Sequence, residues 1–269
     1  MGPPNSSSAH FIFLLPFPLH RRPHNRTAPS PSTKPPEETL GEEESPPSRG
    51  RGRGRRRRRR ASLMAGEEEK PLRGIAEAFE GLAETARAKA PSSAMEVAPF
   101  ARACAHVSVL FGCLGIAFKF AEMDYVSKVD DLLEASKSIS TLQSMLDLDV
   151  EHNRVREAGS HTRNLLRVKR GLDMVKVLFE QILVSEGNSL RNAASIAYAE
   201  VFSPHHGWAI RKAVAAGMYA LPTKSQLLKK LNEDEASAKN QMQNYITASA
   251  AVILYVEDLF TSRQLGLDW

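Results

Sequence analysis

From Pro71 to Trp269 the apolar residues recur at intervals of three and four, and no stretch alternates with a period of two. A period near 3.6 lines apolar side chains along one helix face, whereas a half-buried strand needs a period of two. The pattern confines this part of the chain to an all-α fold. It removes architectures built on repeated strands, such as Rossmann folds and TIM barrels.

Spacing and punctuation predict about eight helices. Ile75, Phe79 and Leu82 make the first stripe. Pro99 opens the second helix, because proline is tolerated in a first turn. The uncharged stretch Ala103–Phe118 is expected as a central buried helix. Another helix passes through Asp124 to about Ser136, and Thr141–Arg156 reads as a short helix and loop. A long helix follows from about Ser160 to Val184, and Asn188 or Ser189 is expected to cap the next. His206–Ala220 reads as one helix, ended by Leu221-Pro222. Thr223 with Gln226 fits a capping box. Asn232 is expected to cap a long last helix reaching about Thr261.

The composition breaks sharply near Met64. Thirteen basic and five acidic residues give the first 63 residues +8, which leaves −3 for the rest of a chain whose total is +5. The basic character therefore belongs to the extension, and the helical part is not a nucleic-acid binder on charge. We expect a disordered Arg/Pro-rich extension over 1–66 and a helical domain over 67–269. The arginine cluster Arg49–Arg60 suits nucleic-acid phosphates, a nuclear signal, anionic lipid or plain solvation. Met64, followed by Ala-Gly-Glu-Glu-Glu, is a plausible alternative start. The Ser/Pro-rich, acid-free opening also fits a transit peptide.

Cys104 and Cys113 match neither a CxxC motif nor a disulfide framework, and are expected as buried thiols in a reducing compartment. Ala103–Phe118 falls short of the ~18–20 apolar residues that span a bilayer. No phosphate-binding glycine loop, HExxH, GxSxG or paired CxxC occurs in the body. No nucleophile–base pair, metal site or cofactor site is expected, and the chain is not read as an enzyme.

The helix over 160–184 carries two stripes. Leu165, Val168, Leu172, Val175, Phe179 and Ile182 make the core stripe. Opposite lie Arg163 and Arg167, then Met174 and Leu178, with Gly171 nearby. A face that begins cationic and turns apolar suits an anionic head and a hydrocarbon tail. It equally suits a solvated arginine pair beside a core methionine. Asp124 and Lys128 share a helix face, as any i,i+4 surface ion pair does. His206 reads alone as a structural histidine, and Trp208 as a core residue or a membrane anchor.

In order, Asp124-xxx-Lys128, Arg163-xxx-Arg167-Val-Lys-Arg-Gly-Leu172, His206-Gly-Trp208 and Tyr219-Ala-Leu-Pro-xx-Ser225 resemble the glycolipid-transfer-protein family across nearly the whole body. The stretches Phe111–Phe118 and Met123-Asp124-Tyr125-Val126 resemble a plant member of its ceramide-1-phosphate branch. The resemblance implies a two-layer helical sandwich enclosing a lipid pocket. It implies that Asp124 and His206 bind the sphingosine amide and nearby polar groups. It implies that Arg163 and Arg167 bind phosphate with Lys128 beside them. Members that bind sugars carry a tryptophan where Arg167 stands and an asparagine where Lys128 stands, so the resemblance favours a phosphate over a sugar.

The implied activity is non-vesicular transfer of a phosphosphingolipid, foremost ceramide-1-phosphate, between membranes. Trp208 is the expected membrane contact. The alternative is a lipid-sensing regulator of programmed cell death that acts through a protein partner. The expected location is the cytoplasm, with transient membrane association; organellar targeting by residues 1–63 stays open.

Overall fold

The computed structural model describes residues 70–88 and 94–269. The expected disorder of 1–66, and the Arg49–Arg60 cluster with it, lie outside the described residues. Nine α-helices are present among the described residues, with no strand. They are α1 (Pro71–Arg87), α2 (Val97–Cys113), α3 (Lys119–Ala135), α4 (Leu142–Glu151), α5 (His161–Val184), α6 (Arg191–Val201), α7 (Trp208–Gly217), α8 (Lys224–Lys230) and α9 (Glu235–Ser262).

α1 packs on α2, α2 on α3, α3 on α5, α5 on α9, and α9 returns to α1. The five helices close a ring with α4 and α6 against α5, which makes a two-layer helical sandwich. Its interior is filled. Phe79, Phe100, Phe179, Tyr245 and Phe260 are fully buried. The Tyr245 ring meets Phe79 and Phe179 edge-on, at centroid distances of 5.0 Å and 5.5 Å. Such edge contacts add about 0.5–1.5 kcal/mol each beyond area burial. The core stripe of α5, from Leu165 to Ile182, is buried as its spacing predicts.

Several local expectations hold. Pro71 stands at the start of α1 and Pro99 in the first turn of α2. Thr223 and Gln226 form the capping box of α8. Ser160 caps α5 by accepting from the Arg163 N–H at 3.0 Å. Others are corrected. The cap of α9 is Asp234, which accepts from the Ser237 N–H at 2.8 Å; Asn232 instead takes a left-handed turn at φ 54°. Asn188 is engaged by Ser225, accepting from its N–H at 2.9 Å and its hydroxyl at 2.8 Å. α6 starts behind Leu190, and the Ser189 hydroxyl just ahead of it accepts from the Arg191 N–H at 3.3 Å.

The apolar stretch Ala103–Phe118 is not one buried helix. α2 ends at Cys113, Gly115 turns the chain at φ 97°, and Ile116 emerges 86% exposed. The segment 206–220 is not one helix either. Pro204 sits in a 3-10 turn, His206 is extended, and α7 begins only after Gly207. No helix among the described residues is long and apolar enough to cross a membrane.

Candidate head-group site

The site is built where α3 crosses α5. Two contacts fix the register. Asp131 of α3 accepts from Asn164 at 2.9 Å and pairs with His161 at 2.8 Å. Six residues earlier, the Tyr125 ring lies against Gly171. The helices therefore run antiparallel, and the midpoint between the two crossings sets Lys128 level with Arg167. Tyr125 is buried, and its hydroxyl donates to the Cys104 carbonyl at 3.0 Å, which ties α3 to α2 as well.

Asp124 and Lys128 form a close ion pair one turn apart, with Lys128 the more covered partner. Arg163 and Arg167 are one turn apart on α5. The Arg163 guanidinium donates to the Arg156 carbonyl at 3.4 Å, and Arg167 is exposed. His206 joins from the segment between α6 and α7. Burial, His205, Arg167 and Arg170 hold its imidazole below the ordinary value, and Asp124 opposes them. Asp124, Arg167 and His206 therefore lie within electrostatic reach of one another. The structure brings Asp124, Arg167 and His206 together from three separate chain segments, with Lys128 one turn from Asp124 and Arg163 one turn from Arg167.

Trp208 stands apart, at the start of α7. It is 69% exposed, which removes a core role, and the Lys212 ammonium lies 6.0 Å from its ring centroid. α7 buries none of its residues. A second exposed apolar set, Ile116, Phe120 and Met123, borders the site where α3 begins. The two sets approach where Ala117 lies 3.7 Å from the place a Cβ on Gly217 would take. The 116-120-123 spacing is a helical stripe that the sequence displays, but the apolar run before it masked its exposure.

Sequence reasoning missed the groups behind the site. Arg170 is buried one turn beyond Arg167, and its guanidinium donates to the main-chain oxygens of Leu267 and Trp269, at 2.7 Å each. Arg156 lies 5.3 Å from the Trp269 ring centroid. The last residues thus close over α5 beside Arg156 and His205. Lys169 is buried between Asp173 and Glu257. Tyr198 and Phe202 hold the His206 ring.

Along the second stripe of α5, Met174 is half-buried and Leu178 buried. A cavity of about 170 Å³ lies at the opposite end of α5 from the arginines, lined by Ile182, Leu183, Leu228, Ala238 and Met242. Among the described residues, no group of three or more His, Cys, Asp or Glu side chains is placed to hold a metal ion.

The arrangement is one of fixed cations around a lone carboxylate, opening beside apolar surface. It can bind an anion and accept one hydrogen bond from a neutral N–H.

Residues 95–233 match the family model for glycolipid transfer protein. Accelerated cell death 11 of Arabidopsis thaliana is 64% identical over 204 residues, covering 76% of this chain and 98% of that protein. The ceramide-1-phosphate transfer protein of Danio rerio is 31% identical over 165 residues, covering 56% of this chain and 78% of its own length. The crystal structure of an aspartate-to-asparagine variant of Arabidopsis accelerated-cell-death 11, complexed with ceramide-1-phosphate, superposes with a TM-score of 0.73. It is 63% identical and covers 76% of this chain and all of that one. This chain belongs to the glycolipid transfer protein family.

Proposed function

We propose that this protein moves a phosphosphingolipid, foremost ceramide-1-phosphate, between membranes one molecule at a time. The observation that carries the reading is the meeting of Arg163 and Arg167 with the Asp124–Lys128 pair beside His206. A phosphate monoester brings about −1.5 to −2 charges at neutral pH. Two guanidinium forks and one ammonium match that charge and its oxygens. Asp124 accepts the amide N–H of a sphingolipid, which a glycerolipid lacks. His206 donates to the amide carbonyl. Support comes from the Arabidopsis relative, crystallised with ceramide-1-phosphate.

The hydrocarbon chains follow the Met174 and Leu178 face between the layers. Side chains fill that space, so entry means parting them. Each methylene gains about 0.8 kcal/mol on leaving water, in a protein core or in a bilayer alike. The near-balance favours exchange over trapping. Trp208, Ile116, Phe120 and Met123 then meet the membrane while the site faces it. No bond is made or broken in this reading, and it needs no metal or cofactor. The free thiols of Cys104 and Cys113 suit a reducing compartment, in keeping with the cytoplasm.

The test is transfer of fluorescent lipids between vesicles by the full chain, comparing ceramide-1-phosphate, glucosylceramide and phosphatidic acid. Selective transfer of ceramide-1-phosphate is expected. Preference for glucosylceramide overturns the phosphate assignment. The name of the Arabidopsis relative favours a second reading, a lipid-gated regulator of cell death. That reading predicts binding of ceramide-1-phosphate without transfer by the pure protein.

A further inference from the structure

Tyr198, Phe202 and His206 follow one another at intervals of four residues, across the end of α6 and the 3-10 turn. The spacing gathers three rings. The Tyr198 hydroxyl lies 2.9 Å from Nδ1 of His206. Phe202 stacks on the imidazole, with centroids 5.6 Å apart and planes 14° from parallel. The Tyr198 ring packs 5.7 Å away. The imidazole is thus gripped on one face and one edge, which leaves Nε2 as its unengaged nitrogen.

The protons on this pair can be assigned from the neighbours. The charged groups around His206 are Arg167, Arg170 and Asp124, with His205 beside it. Burial and the cations keep the ring neutral, so it carries one proton. Burial raises Tyr198, although Arg211 opposes it, so the phenol keeps its proton as well. A neutral imidazole has one donor and one acceptor nitrogen. If Nδ1 donated to the phenol oxygen, Nε2 would be an acceptor and useless to a carbonyl. If the phenol donates to Nδ1, the ring proton sits on Nε2.

We infer that Tyr198 is a positioning residue for lipid recognition: its hydroxyl donates to Nδ1 and fixes His206 as the Nε2–H tautomer, aimed at an amide carbonyl. This rests on the proposed phosphosphingolipid reading, which supplies the carbonyl that the Nε2–H must reach and so selects the direction of the Tyr198–His206 bond. The logic is that of a histidine whose role is set by what binds its other nitrogen. Phe202 adds orientation without chemistry.

The experiment has two arms on the full chain. In the first, ring nitrogen shifts of His206 are read by ¹⁵N NMR at pH 7.5 without lipid. The wild type is expected to show an unprotonated Nδ1 and a protonated Nε2, and Tyr198→Phe a mixture of both tautomers. A protonated Nδ1 in the wild type overturns the proposal. So does a Tyr198→Phe spectrum identical to wild type. In the second arm, binding of ceramide-1-phosphate is measured for Tyr198→Phe, His206→Gln and the double variant. Gln offers a donor without a tautomer. Tyr198→Phe is expected to weaken binding by about five- to tenfold in the wild type, and by less than twofold in the His206→Gln background. An equal loss in both backgrounds means that Tyr198 acts only through packing. If the wild type binds no ceramide-1-phosphate, the functional reading fails while the nitrogen shifts still decide the tautomer.

Discussion

The ring of Tyr125 fills the space that a Cβ on Gly171 would need: the ideal position lies 2.5 Å from Cε2 and 2.7 Å from Cδ2. The ring cannot swing aside cheaply. It is buried, hydrogen-bonded to the Cys104 carbonyl and packed 5.0 Å from the Phe111 ring. Gly171 is what lets α3 lie this close to α5, and so what carries Asp124 to the arginines.

Overpacking costs about 1–3 kcal/mol, and alanine gains roughly 1 kcal/mol over glycine inside a helix, so Gly171→Ala is expected to destabilise the fold by up to about 2 kcal/mol. Urea unfolding followed by circular dichroism reads the difference. An unchanged midpoint would show that the Tyr125 ring yields without cost.

Arg163→Ala and Arg167→Ala are each expected to lower ceramide-1-phosphate transfer by about 10- to 100-fold, the range for a lost charge-assisted hydrogen bond. Neither side chain is buried, so unfolding midpoints stay within about 0.5 kcal/mol of wild type. Transfer retained in both variants sinks the site assignment.

Trp208→Ala separates the membrane from the cargo. Trp208 is 69% exposed and α7 buries none of its residues fully, so stability is expected to change by less than about 0.5 kcal/mol. Partition onto vesicles, measured by sedimentation, is expected to weaken. Affinity for a short-chain phosphosphingolipid in solution is expected to hold. Loss of that affinity would place Trp208 in the head-group site instead.

Acid is expected to weaken the fold through His205 and His206. For both, burial leads a set of causes that hold the imidazole below its ordinary value. The folded state then binds fewer protons than the unfolded chain. Stability is full above about pH 6.5, the ordinary imidazole value, and falls as pH drops from there toward the lowered folded values. His206→Gln should flatten part of that slope. Urea midpoints between about pH 5 and pH 7.5 test this, and a slope identical to wild type counts against it.

The parts of this molecule that obey a period were legible in the sequence. The α5 core stripe, the Thr223–Gln226 box and the Arg163–Arg167 pair all follow from spacing on one helix. The failures share a different cause. Asn232 and Asp234 are both good caps, and the choice between them rests on where Leu231 must bury, a tertiary matter. Asn188 went unused as a cap because Ser225, thirty-seven residues away, claims it. Ile116 looked like core because the apolar run before it is core. Arg170 carried no expectation, and only the fold turns it inward to hold Leu267 and Trp269. Of the candidate site, the individual residues were visible, but the register that brings Lys128 level with Arg167 was not.

The closure of the helical ring sets a condition on biosynthesis. The Tyr255 hydroxyl of α9 receives the Met95 N–H across 160 residues, and Phe79 of α1 rests on Tyr245. Chains leave the ribosome at about 5–20 residues per second, so the greasy flanks of α1 and α2 wait roughly 8–32 s for the last helix to arrive. During that wait the nascent polypeptide offers sticky surface with no native cover. Holdase chaperones would find their natural substrate there, and a truncation that removes α9 leaves the chain in that state for good.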